Sequence, residues 1–522
     1  MKSIYSLLFI SLIAILTFNS CKKSFLDEDV RTQFTPSTLK DALSFEAAIA
    51  GMQKTVRDQY EGDQGIIALM QTGTDVARNG QTTAAMAPYE TYSQLNSQDV
   101  ASLGFWRWGY QVINASNVII QAAQSGNTSL TPAQVSGYVA EAKFFRAYAY
   151  NFLSTLFGGV PLITVPVTAP KTDYVRAPLD TIINLQISDL TFAAANLPDA
   201  AHVVAEGRIN NAAAMQLLAI TYLRANKPDL AEAQLNKIIA SGTYKLVNNR
   251  YGINSLKPGD AFSDMFIYGN MRRSQGNTEA IWVIEEANIP GGVSPTDQHR
   301  RVWVPFYVNI PGMIVADSLG GRGIGRIRPT NWWTYNLNLS NDMRNSSYNI
   351  RRKYYYNDPS SANYGKLAVV TSNTDTIQNM YAHTTKWYSY TSADPFGTLT
   401  YKDRIYMRLG ETYLLLAEAQ FKQGNLSGAA GNINMLRTRA NAPQVQASDI
   451  NMDFILDERA RELIGEEDRR ITLMRTGTLV ERVKKYNPTS AGSIKDNNML
   501  LPIPQSEIDV NKGATLTQNP GY

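Results

Sequence analysis

The chain has 522 residues, 49 Lys and Arg against 45 Asp and Glu, and a formal net charge of +4. Its charges are well mixed, which indicates neither a nucleic-acid footprint nor a polybasic membrane patch. A single cysteine leaves no internal disulfide, and three scattered histidines (His202, His299, His383) argue against a histidine-rich zinc site, so stability must come from a large buried core.

At the start, Met1-Lys2-Ser3 carries one positive charge, residues 4–18 are almost unbroken hydrocarbon, and Asn19-Ser20 are small and polar before Cys21. This pattern reads as a secretory signal over residues 1–20. Its apolar run is shorter than the roughly 20 residues that cross a bilayer, so a retained transmembrane helix is not expected. Cys21 directly after the exit resembles the lipid-attachment cysteine of bacterial lipoproteins; plain secretion with a free thiol is the alternative. Residues 22–36 are polar and carry Asp27-Glu28-Asp29, a composition suited to a tether. The remainder, residues 37–522, reads as one body.

Helical periodicity runs over residues 39–60, 106–123 and 135–156, the last stopped by Gly158-Gly159 and Pro161. Two later stretches look like copies of one unit. Leu218, Ala219, Tyr222, Leu223 and Ala225 precede a turn and then Leu230-Ala231; Leu416, Ala417, Ala419 and Phe421 precede Gly424-Asn425 and then Ala429-Ala430. Helix, tight turn and helix with small residues at the close approach resembles the tetratricopeptide pair, which must stack on neighbours to bury its face. Between residues 241 and 401, Gly, Asn, Ser, Thr and Tyr become dense and periodicity fades, with short strands expected at 280–285 and 367–371. A final helical stretch is expected over 453–485. The expected fold class is therefore mostly α: a tetratricopeptide-like helical-pair scaffold, about 37–240 and 402–485, with a large irregular loop-rich insertion at 241–401 and a closing segment at 486–522.

Five motifs in order carry a family resemblance. Trp106, Tyr110, Ile113 and Asn117 form W-x3-Y-x2-I-x3-N; Glu141-Ala142, Phe144, Arg146-Ala147 and Phe157-Gly158 to Val160-Pro161-Leu162 follow. Pro329-Thr330 precedes Asp342-Met343-Arg344, then Glu458-Arg459 with Glu462-Leu463 leads to Arg469, Leu473, Arg475 and Gly477, and the chain closes on Leu501-Pro502-Ile503-Pro504 and Gln518-Asn519-Pro520-Gly521-Tyr522. The sequence resembles the SusD/RagB family of outer-membrane nutrient-binding lipoproteins across nearly the whole mature chain. It departs at Gly465, where the family usually has a bulky aromatic, and at Thr472, where Asp is common, which puts local packing in question. The resemblance implies four tetratricopeptide-like pairs, an irregular part carrying the ligand site and no catalytic activity or cofactor. It also implies capture of a glycan, or sometimes a peptide, as a lid over a SusC-like TonB-dependent transporter.

A sugar presents a C–H face and a rim of hydroxyls, so aromatic platforms with nearby amides, carboxylates or guanidiniums in loops are the residues to weigh. Before the Trp106 helix these are Asp75, Arg78, Asn79, Tyr89 and Tyr92; in the middle they are Trp303 (the leading platform), Phe306, Tyr307, Arg322, Arg326, Arg328 and Trp332-Trp333, of which at most one Trp should face solvent. Trp106, Tyr110 and Trp282 read as core. Glu466-Glu467-Asp468 reads as charge pairing on a helix surface rather than acid/base machinery. The glycine run at 320–325 lacks the spacing of a phosphate loop; its arginines could recognise an acidic sugar or be solvated loop charges. A secreted glycoside hydrolase would need two carboxylates about 5–10 Å apart across a cleft, and no such pair is identifiable.

Overall fold

The computed structural model describes residues 34–60, 62–286 and 297–522, so Cys21, the signal and most of the tether lie outside the described residues. The longer helices are α1 (Ala42–Asp58), α2 (Val100–Gln124), α3 (Pro132–Phe157), α4 (Leu179–Asn196), α5 (Asn211–Arg224), α6 (Pro228–Ala240), α7 (Leu409–Lys422), α8 (Leu426–Arg439), α9 (Met452–Leu463), α10 (Arg469–Arg475) and α11 (Leu479–Tyr486). Their ends are set locally. Thr131 and Gln134 form a capping box at the start of α3 with Pro132 at its first turn, and Gly158, at φ +74°, terminates it. From Tyr138 to Phe157 almost every α3 side chain is buried, because α2 packs on one flank and α4 on another. No described helix is long and apolar enough to cross a membrane.

Consecutive helices from α2 to α6 pack pairwise, and α7 then docks directly on α6 although about 170 residues separate them in sequence. The two copies read from the sequence are thus α5–α6 and α7–α8, stacked through a shared cluster of Ala219, Leu223, Ala231, Leu235, Leu415, Leu416 and Ala419. Tight turns join each pair, with Asn226 at φ +53° and Gly424 at φ +78°. The mostly helical, tetratricopeptide-like class expected from the sequence is what the chain adopts.

The motifs act as locks between elements. In α2, Trp106 packs on Tyr110 and edge-on to Phe157, while the Tyr110 hydroxyl donates to the Pro161 carbonyl and the Asn117 amide to those of Ile163 and Val165. Arg146 of α3 grips Asp189 of α4 with two nitrogens and Asn117 of α2 with a third. At the C-terminus Asn519 donates to the carbonyls of Phe157 and Leu501, tying the closing segment to the end of α3.

The interior beside α9 is ionic. Glu458 accepts from Arg344, Arg437 and Arg461, and Glu462 from Arg344, Arg408 and Arg439. These guanidiniums outweigh the cost of burial and hold the Glu458 carboxyl down at about 2. The expected single helix over 453–485 is instead α9, α10 and α11, and Glu466-Glu467-Asp468 sits in the turn between the first two. That corrects the reading of a charged helix surface: Glu466 pairs with Lys386 and Arg408, Glu467 with Arg459 and Arg469, and Asp468 accepts from the Tyr60 hydroxyl, all buried or nearly so. Gly465 stands at φ +76° with its Cβ position 2.6 Å from Trp387 Nε1 and 3.1 Å from Trp303. Two tryptophan rings therefore occupy the space that a bulky residue would need.

The middle is built of short pieces. β2 (Ala280–Ile284) pairs antiparallel with β6 (Arg404–Arg408), closing the insertion at its base, and β4 (Ile350–Arg351) pairs with β5 (His383–Thr384). β6 went unread in the sequence; the strand expected at 367–371 is only a bridge between Tyr355 and Leu367. Trp282 of β2 is buried against Phe144, Phe145 and Tyr406, as expected for core.

Candidate functional site

The two loop regions singled out in the sequence meet across a third strand pair. β1 (Ala77–Asn79) runs antiparallel to β3 (Ile327–Pro329), with Arg78 opposite Arg328. The ladder continues outward: the Gly80 and Gln81 amides donate to the carbonyls of Arg326 (2.9 Å) and Gly325 (2.6 Å). The glycine run is what lets the backbone pass here. A Cβ on Gly323 would lie 1.9 Å from the Val304 carbonyl oxygen, and Gly325, at φ +68°, would meet that of Gln378 at 2.5 Å. These glycines serve a backbone crossing, and no phosphate loop is needed to explain them.

The crossing produces a ledge of arginines. Arg301 reaches Asp63 at 3.0 Å, and Arg326 reaches Asp63 at 3.2 Å and Gln81 at 2.8 Å. Arg322 donates to the Phe396 carbonyl and has no carboxylate within salt-bridge distance among the described residues. Two guanidiniums thus share one carboxylate, and the third has none among the described residues. Burial pulls the Arg301 guanidinium below its usual range despite Asp63, and the charges of Arg322 and Arg326 add to that. Phe306, half-buried, follows the same crossing with its amide bonded to Gln378. The chemistry these arginines offer is hydrogen-bond donation and positive potential.

Individual expectations fare differently. Trp303, 0% exposed, is core and offers no face to a sugar; it fills the space beside Gly465. Tyr89 and Tyr92 are also buried, with hydroxyls committed to Asp99 and to the Gly73 carbonyl, and Tyr307 donates to the Gly321 carbonyl. Asp75 is buried between Arg469 (2.7 Å) and Arg482 (2.6 Å), which overcome the desolvation that would raise its pKa and hold it low. Asn79 is buried too, and its side-chain amide makes no hydrogen bond among the described residues. Trp332 is half-buried and stacked on Tyr486 at 3.9 Å, while Trp333 is buried and donates to the Ala460 carbonyl. Of the predicted arginines, Arg322 and Arg326 stand on the ledge, both half-buried. Of the aromatic trio in the middle, Phe306 keeps exposed surface where Trp303 and Tyr307 do not. Asp63 and Gln81 were missed; Gln81 had a signal, directly following Arg78-Asn79-Gly80, and Asp63 had none.

A larger cavity, about 690 Å³, lies elsewhere, walled by Met52 and Thr55 of α1, Trp106, Tyr110 and Ile113 of α2, and Leu516. Its mainly apolar wall does not match a sugar's hydroxyl rim, and it shares no residue with the ledge.

Comparison with known proteins gives a consistent picture. A family model described as the SusD family matches residues 327–522, and a second, described as starch-binding associating with outer membrane, matches residues 24–223. A SusD-like protein of Formosa agariphila is 23% identical over 513 residues, covering 94% of each chain. The starch-binding protein SusD of Bacteroides thetaiotaomicron is 37% identical over 149 residues, 26% of this chain and 25% of that one. Among solved structures, a laminarin-binding SusD-like protein superposes with a TM-score of 0.72 at 22% identity, covering 92% of this chain and all of that one. Surface glycan-binding protein A from Bacteroides thetaiotaomicron, in complex with laminarihexaose, gives 0.72 at 20% identity, again covering 92% and 100%.

Proposed function

This chain belongs to the SusD/RagB family, and from that premise we propose that it is a non-catalytic cell-surface protein that captures an oligosaccharide on the arginine ledge. It would pass the glycan to a SusC-like TonB-dependent transporter in the outer membrane, held there by a lipid on Cys21. The observation that supports the reading is the β1–β3 crossing, which sets Arg326 on Gln81 and Asp63, with the charge of Arg322 felt by Arg301 and the half-buried Phe306 following on the same stretch of chain. Guanidinium forks suit a hydroxyl rim and the phenyl edge suits a sugar's C–H face. The named relatives bind starch or laminarin and so favour a glucan-type ligand class. The ledge's carboxylate, Asp63, is held by two arginines, which leaves it poorly placed to act as a hydrolytic base.

Calorimetry of the body lacking its N-terminal segment, titrated with laminari- and malto-oligosaccharides and with peptides, tests this. Phe306→Ala and Arg326→Ala should each weaken oligosaccharide binding by about 1–3 kcal/mol, roughly 5- to 150-fold. Unchanged affinity in both variants removes the ledge from the site. Binding of peptides instead of sugars would favour the same architecture put to peptide capture, and sustained cleavage of a polysaccharide would favour a hydrolase.

A further inference from the structure

A second concavity, about 600 Å³, opens in the insertion between residues 253–268, β4 and residues 385–401. Its walls are unusually rich in tyrosine: Tyr268 and Tyr348 are 62% and 43% exposed, and Tyr388, Tyr390 and Tyr401 are half-buried. Asn254, Thr385 and Thr391 supply neutral polar groups at its edge.

Its charge is unbalanced. Arg300 lines the groove at 2% exposure and, among the described residues, donates only to the carbonyls of Ser389 and Gly397 and keeps a buried Nε with no partner. Arg351 donates to the Tyr388 hydroxyl (2.7 Å) and the Ser318 carbonyl (2.6 Å), its guanidinium 5.8 Å from the Tyr388 ring centre. Neither has a carboxylate within salt-bridge distance among the described residues, whereas the buried Arg344, Arg408, Arg439, Arg469 and Arg482 each do. Asp317 on the groove wall is exposed, and Asp394, whose charge is felt by Arg300, is exposed as well. A buried cation without a counter-charge is costly, and carbonyl dipoles offset only part of that cost. Desolvation, with the charges of Arg301 and Arg322, pulls the Arg300 guanidinium down to about 10. The short helix His299–Trp303 thus sends adjacent cations to different places: Arg301 to Asp63 on the ledge, Arg300 to the groove.

We propose that this groove is a second carbohydrate site, separate from the ledge, which binds an anionic sugar residue through Arg300 and Arg351 with tyrosine rings against its C–H faces. The shared chemistry is a carboxylate or sulfate on a pyranose, and it does not depend on what the ledge binds.

The test titrates the body with hexagalacturonate, with its methyl-esterified neutral counterpart, and with a dextran-sulfate oligosaccharide. The charged hexamer or the sulfated oligosaccharide should bind at least tenfold more tightly than the neutral ester, and whichever does so names the anion. Arg351→Met and Tyr268→Ala, chosen because both side chains reach the surface, should each cost tenfold or more in that binding, whereas Phe306→Ala should leave it unchanged. Circular dichroism and melting of each variant establish that it is folded. Failure of both anionic probes to bind, equal binding of charged and neutral hexamers, or loss of anion binding in Phe306→Ala with folded Arg351→Met unaffected would each overturn the proposal. The proposal survives a ledge that binds nothing, because the groove variants report independently.

Discussion

Asp75 separates a ligand residue from a structural one. Its Oδ1 accepts from Arg469 Nε (2.9 Å), and its Oδ2 accepts from Arg469 Nη2 (2.7 Å) and Arg482 Nε (2.6 Å), all buried. Asp75→Asn keeps the volume, removes the charge and turns an NH2 group toward one guanidinium, so one of the two contact sets must break. Hydrogen bonds to charged groups contribute about 1.5–3 kcal/mol each, and removing one partner of a buried pair costs about 3–5 kcal/mol. Glu467 still holds Arg469, and Asp453 and Asp457 still hold Arg482, so the lower end, about 3 kcal/mol, is expected. With an unfolding entropy of about 2.1 cal/mol/K per residue over a body this size, each kcal/mol moves the midpoint by about 1 °C. The variant should therefore melt about 3 °C lower by calorimetry, with oligosaccharide affinity unchanged in the cold. A midpoint within 1 °C of the parent, accompanied by weakened sugar binding, would refute the reasoning and return Asp75 to the ligand site.

Three other outcomes are expected. Trp303→Ala should cost about 3–5 kcal/mol of stability through the cavity it leaves, with no loss of glycan affinity in the folded fraction; chemical denaturation and calorimetry measure the two separately. The Glu458 carboxyl is held at about 2, below its ordinary 4.5, so its contribution to stability is present above about pH 4.5 and is lost as pH falls through 2. Urea midpoints between pH 7 and 3 should therefore decline at the acid end, and Glu458→Gln should start lower at pH 7 and decline less. Cys21→Ala should leave the body folded but shift it from the membrane to the soluble fraction in cells lacking the transporter; retention in the membrane would refute the lipid anchor.

The scaffold was legible because its signals are local. Repeating small residues in α5–α6 and α7–α8 and the Gly-Pro stop after α3 act within a few positions. What a carboxylate does three residues beyond a helix is not local. Glu466 looks like part of a solvated run until Lys386 and Arg408 are brought beside it from far along the chain. The same holds at the site. The sequence singled out two loop regions that β1 and β3 join, yet aromatic content alone could not tell Trp303, packed beside Gly465, from Phe306, which is half-buried. Whether a loop tyrosine faces inward is decided by its hydroxyl's partner, and Asp99 for Tyr89 or the Gly73 carbonyl for Tyr92 is visible only once the chain has folded.

The β2–β6 pair has a consequence for how such a protein can change. It fastens the insertion where the chain leaves and re-enters the helical stack, closing a loop of about 120 residues. Closure entropy grows only with the logarithm of length, so adding 30 residues inside that loop costs roughly 0.2 kcal/mol. Exposed residues gained, lost or exchanged between these strands would scarcely be felt by α6 and α7, which remain packed on each other, whereas Arg344 and Lys386 must stay to meet the carboxylates beside α9. New specificities can therefore be tried within the fastened segment while the part that must keep its shape is held constant.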